Sequence, residues 1–191
     1  MAEPTLDVLF DSPVRARVLK LFLYNQETSF ETKTIAKILN INQATINKHL
    51  NGLREINFVN RKIIKGKNIF KINPHFYFYG ELKELVTKAN PASKEKLVDR
   101  ILSLGKVKLA IISGVFMNFE GARADLMLVG DDINQIKFDK FLKYLEAEVG
   151  KEINCAVMNA KEFYYRYNMY DRFVRDILDF KHEKLINKLK I

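Results

Sequence analysis

Apolar residues at helical spacing mark the first third of the chain. Val14, Val18, Leu19, Phe22 and Leu23 follow Ser12, a side chain suited to an N-cap, and Pro13, whose missing N–H costs nothing at the first helical position. A helix from 13 to about 24 is predicted, ended by Asn25 and Gln26. A second, shorter helix over 32–39 turns Ile35, Ile38 and Leu39 inward. After the turn Asn40-Ile41-Asn42, a third helix runs to about 56 with Asn42 as its N-cap and Ile46, Leu50 and Leu53 buried at i, i+4 and i+7. Asn57 suits a left-handed C-terminal position. Two β-prone runs, 60–64 and 68–72, flank Lys65-Gly66-Lys67 and predict a hairpin with a basic tip. An aromatic run from His75 to Tyr79 leads into an amphipathic helix over 81–89 carrying Leu82, Leu85 and Val86 on one side. Asn90-Pro91 stops it and marks a domain boundary, giving domains 1–90 and 91–191.

Beyond 91 the pattern alternates. A helix over 92–104, a strand over 107–113, a strand over 124–129, a helix over 134–148 and a strand over 153–158 are predicted. Three helices, at 161–166, 171–178 and 181–189, close the chain. This is a small α/β domain, and the whole chain is of the α+β class.

Charge sharpens the picture. Of a net +9 over 191 residues, the segment from Lys33 to Lys71 holds nine cations (33, 37, 48, 54, 61, 62, 65, 67 and 71) against one acid, Glu55. Such a concentration on one segment points to a polyanionic partner. Cys155, the only cysteine, forms no internal disulfide and no cysteine zinc site. His49, His75 and His182 are far apart, so neither a metal nor another cofactor is expected. The longest apolar run, 109–117, is broken by Ser113 and Gly114 and falls far short of the roughly 20 residues of a membrane span. Glu3 and Asp7 stand where a secretory leader would be basic and then apolar, so a cytoplasmic location is expected.

Three helices followed by a basic hairpin resemble the winged helix-turn-helix family over residues 10–74. Gln43-Ala44-Thr45-Ile46-Asn47-Lys48-His49-Leu50, then Leu53 and Phe58-Val59, is similar to that family's recognition helix and hydrophobic return. Arg61-Lys62 and Gly66-Lys67 stand where its wing does. The resemblance implies a major-groove helix and a wing on the flanking backbone. Candidate DNA-binding residues are therefore Asn42, Gln43, Thr45, Asn47, Lys48 and His49 of the helix with Arg61, Lys62, Lys65 and Lys67 of the wing. Gln43 and Asn47 have the amide geometry that reads adenine, and Lys48 suits a phosphate or guanine.

The second half resembles the nucleotidyltransferase superfamily. Gly114 follows the first apolar strand and Asp125 opens the next, ahead of Leu126-Met127-Leu128-Val129-Gly130. That family holds two Mg²⁺ on an Asp-x-Asp pair and a third acid. Here Val115 replaces the family serine, Asn118-Phe119 stands where Arg-Gly is common, Arg123 replaces the first acid and Asn154 the third. Only Asp125 survives, and no catalytic residue is assigned. Asp125 is expected to be held by a neighbouring loop, by Arg123 or by backbone N–H groups. Asp131-Asp132 is expected to serve the helix that begins near Asn134.

The leading expectation is a sequence-specific duplex-DNA-binding transcriptional regulator, homodimeric and not an enzyme. Its second domain would dimerise, sense a small-molecule effector or dock a protein partner. The alternative is a nucleotidyltransferase that recruits a nucleic-acid or protein substrate through its basic domain. A third class is a nucleic-acid-associated scaffold or antitoxin that acts by binding another protein.

Overall fold

The computed structural model describes residues 5–88, 94–117, 119 and 121–191. The chain divides into two compact units, residues 1–91 with 143–151, and residues 92–142 with 152–191. The expected boundary at Asn90-Pro91 lies outside the described residues. The segment 143–151, which the alternation of elements assigns to the second half, groups with the first unit instead.

In the first unit, α1 (Thr5–Leu9) precedes α2 (Pro13–Tyr24), whose first turn is capped by Ser12 accepting from the Arg15 N–H at 3.2 Å. A two-residue strand β1 (Phe30–Glu31) leads directly into α3 (Thr32–Leu39). That helix stops at Asn40, whose N–H donates to the Ala36 and Lys37 carbonyls and whose φ of 53° brings the next N–H, that of Ile41, back to the Ala36 carbonyl at 3.0 Å. Next, α4 (Gln43–Glu55) begins at Asn42, whose Oδ1 accepts from the Thr45 N–H at 2.8 Å. Asn57, at φ 59°, turns the chain into the hairpin of β2 (Val59–Ile64) and β3 (Lys67–Ile72). Lys65 and Gly66 both have positive φ (49° and 74°), the two-residue turn whose twist matches the strands it joins. Strand β3 is central, with β1 and β2 at its sides. Val18, Leu19 and Phe22 of α2, Ile35 and Leu39 of α3, Ile46, Leu50 and Leu53 of α4, and Phe58, Phe70 and Ile72 form one core. Helix α5 (Tyr79–Lys88) adds the buried Val86.

Charge is also buried here. Lys20 on α2 is only 1% exposed, and its ammonium donates to the Glu148 carbonyl at 3.2 Å. The Glu148 carboxylate, itself buried, pairs with Arg17. Burial pushes the Lys20 ammonium below its ordinary pKa, opposed by the negative charges of Glu148 and Asp7. Beside it the backbone of Gly150, at φ 78°, lies so near Leu21 that a Cβ would stand 2.6 Å from the Leu21 nitrogen.

The second unit is built on a mixed sheet. Its elements run α6 (Lys94–Leu102), β4 (Lys106–Ile112), a 3₁₀ turn (Gly114–Met117), β5 (Leu126–Asp131), α7 (Gln135–Val149), β6 (Cys155–Met158), α8 (Ala160–Asn168), α9 (Arg172–Asp179) and β7 (Glu183–Asn187). The C-terminal part of α7 belongs to the first unit. Strand order is β6-β5-β4-β7, parallel only between β5 and β6. One face of the sheet, with Leu109, Ile111, Met127 and Val129, packs against Phe163 of α8 and Val174 and Ile177 of α9.

Residues 183–187 form a strand paired antiparallel to β4, where a helix over 181–189 is expected from the sequence. Asp131 and Asp132 do not cap α7. Asn134 does, accepting from the Lys137 N–H at 2.9 Å. The two aspartates pair instead with Lys108 and Lys106, at 2.7 and 2.8 Å. Lys108 first, then the Ala160 N–H, holds the Asp131 carboxyl below its ordinary pKa.

Candidate nucleic-acid interface

Helix α4 presents an uncovered face because its three large apolar residues all turn inward. Residues advance by about 100° around a helix. Opposite the buried Ile46, Leu50 and Leu53 lie Ala44, Lys48, Asn51 and Glu55, at i, i+4, i+7 and i+11, all exposed. Gln43 and Asn47, both exposed, occupy one flank of this face with Arg54. Thr45 and His49, both half-buried, occupy the other with Gly52. The predicted recognition residues are thus divided between two flanks, and only Lys48 is central. Ala44, Asn51 and, at the C-terminal end, Glu55 share the centre with it. The same periodicity that found the buried stripe would have found them.

Asn42 is exposed, but its side chain is engaged as the N-cap. A capping oxygen leaves the amide NH₂ as its remaining donor. His49 is shaped by its neighbours. Partial burial, then the charges of Arg15 and Lys48, holds its imidazole below the ordinary pKa of 6.5. Arg15, on the first turn of α2, is therefore part of this electropositive surface. Nothing in the local sequence links it to α4, since only folding brings them near.

On the hairpin, Arg61, Lys62, Lys65 and Lys67 are all exposed. Lys67 pairs with Glu31 at 3.1 Å, and Lys71 with Glu27 at 3.2 Å. Both acids lie just outside the nine-cation segment, so part of its excess is neutralised by residues that the sequence window omits. Among the described residues, Lys48, Arg61, Lys62 and Lys65 enter no ion pair.

In the second unit, Gly114, Asp125 and Asn154 converge at one end of the sheet. The two Asp125 oxygens accept from the backbone N–H groups of Val115, at 2.7 Å, and Asn154, at 2.9 Å. Gly114, at φ 52°, passes so close to the Asp125 carboxylate that a Cβ would overlap it. The Asn154 amide donates to the Arg123 carbonyl at 3.1 Å. The Arg123 guanidinium turns away to Asp176 at 2.7 Å. Of the partners expected for Asp125, the backbone N–H groups are the ones found. Asn118 lies outside the described residues.

A family model described as a helix-turn-helix domain matches residues 10–62. The first unit contains a helix-turn-helix domain. The matched span takes in α2, α3 and α4 and ends within β2, so that α3, the turn at Asn40–Asn42 and α4 form the core of the helix-turn-helix. Such a domain carries a capacity for DNA binding in general. No curated protein and no solved structure matches the chain. Among the described residues no helix is long and apolar enough to cross a membrane.

Proposed function

We propose that the chain is a cytoplasmic, sequence-specific transcriptional regulator that binds duplex DNA as a homodimer. Helix α4 lies in the major groove, and the hairpin β2–β3 acts as a wing on the flanking backbone. The observation that carries this reading is the coincidence, on one unit, of a helix-turn-helix with Lys48 at the centre of its exposed face and three hairpin cations without ion pairs. Lys48 and Asn51 face the bases. Gln43 and Asn47 reach them from one flank, and Thr45 and His49 from the other. Arg61, Lys62, Lys65 and Lys67 hold phosphates. A single helix-turn-helix reads few base pairs, and a dimer doubles the site.

The second unit serves as a binding domain of nucleotidyltransferase-like fold, taking a protein partner or a small-molecule effector. Both oxygens of Asp125 are committed to backbone N–H groups, which disfavours the competing reading of an active nucleotidyltransferase. Two experiments test the proposal. Duplexes retained by the full-length protein from a random pool are expected to share a palindromic motif, and retention without any enriched motif would contradict sequence-specific regulation. Incubation with Mg²⁺ or Mn²⁺, labelled nucleoside triphosphates and candidate acceptors is expected to transfer no label. Transfer that disappears in Asp125→Ala would establish the enzyme instead.

A further inference from the structure

The hairpin tip carries two apolar side chains that nothing covers. Ile63 is 67% exposed and Ile64 52%. Neighbours on a strand point to opposite faces, so each face of the hairpin end bears one uncovered isoleucine. Ile63 opposes Asn68 on the face that carries Phe70 and Val59 into the core, but beyond the reach of that core. Ile64 opposes Lys67 on the other face, beside Lys62 and Ile69. Strand β2 is an edge strand, and the turn at Lys65-Gly66 is two residues long, so the tip is narrow and stiff.

A flat partner would cover only one face of this ribbon, leaving the second isoleucine in water. A groove covers both. The cations around the tip, Arg61, Lys62 and Lys65, select a groove whose rims are negative. The minor groove of B-DNA is about 6 Å wide, too narrow for a two-stranded ribbon unless the base step beneath it opens.

We propose that Ile63 and Ile64 enter the minor groove beside the α4 site and wedge open a base step, while Arg61, Lys62 and Lys65 hold the phosphates on its rims. The wedge rests on the DNA-binding reading and adds a requirement to it. Specificity at the flank is then set by how easily a step unstacks, favouring pyrimidine–purine steps, rather than by hydrogen bonds to base edges.

The test uses the full-length protein and duplexes it selects from a random pool, with 2-aminopurine placed in turn at each flanking adenine and a dye at each end. On binding, fluorescence is expected to rise several-fold at one step per subunit, and the end-to-end distance to shorten. Ile63→Ser and Ile64→Ser, both at exposed positions, are expected to abolish the two signals and weaken binding by on the order of tenfold, with the salt dependence kept. Ile64→Leu is expected to keep both signals. Tight, salt-sensitive binding with unchanged fluorescence at every position would overturn the wedge while leaving DNA binding intact. Serine variants that still unstack the step would overturn it too. If no duplex is retained, the DNA-binding reading itself falls, and the wedge with it. Retention of the wild type, but not the serine variants, on phosphatidylserine vesicles in place of DNA would assign the tip to membranes and overturn the proposal.

Discussion

Asp125 is held by two backbone donors in a space that only a glycine at 114 leaves open, an arrangement that is costly to disturb. Replacing it with alanine removes two hydrogen bonds to a charged acceptor and leaves the part-buried Val115 N–H without a partner, so Asp125→Ala is expected to cost about 1–3 kcal/mol in denaturant unfolding. A carboxylate retained only to hold a metal would behave otherwise, and its loss would leave the metal-free chain no less stable. His49 gives a second prediction at this scale. Its folded pKa lies below the ordinary value of 6.5, so the unfolded chain takes up the proton more readily. Its contribution to stability is therefore full above pH of about 6.5 and is lost as the pH falls below it. His49→Gln is expected to flatten the dependence of unfolding free energy on pH between about 7 and 5. An undiminished slope in the variant would show that other groups cause it.

At the scale of elements, the exposed face of α4 separates two kinds of contact. Lys48→Ala and Asn51→Ala, at its centre, are expected to lose about 1–3 kcal/mol on a selected site. Lys65→Ala, on the turn, is expected to weaken selected and random DNA alike. Anisotropy titrations on both duplexes check this, and equal losses for all three would contradict the division. The helix itself was legible in the sequence because its determinants are local: Asn42 before it, Asn57 after it, and three apolar residues at helical spacing between. Strand β7 was not. In 181–189, Leu185, Ile186 and Leu189 have helical spacing among lysines and a glutamate, yet pairing with β4 buries Ile186 and overrides that preference. The wing's shape was legible from Lys65-Gly66, whereas the pairing of Lys67 with Glu31 depends on β1, two residues long and without a periodicity to reveal it.

At the scale of the whole chain, the N-terminal unit is not a contiguous segment. Residues 143–151 supply Glu148 to Arg17 and Lys20, and bring Gly150 against Leu21. A chain truncated after residue 90 leaves two cations on α2 without that carboxylate, and a buried unpaired charge costs several kcal/mol. The truncated chain is expected to melt well below the full-length protein, and Lys20→Met is expected to recover part of the loss. Equal melting temperatures for the full and truncated chains would mean that residues 143–151 contribute nothing to the stability of the first unit. Full-length protein is accordingly the form in which DNA binding is measured. The most direct test of the central claim is the salt dependence of that binding. With about four to five phosphates neutralised per subunit, the logarithm of the association constant is expected to fall with the logarithm of salt concentration at a slope of about −4 per subunit. A slope near zero between low and moderate salt would contradict the account.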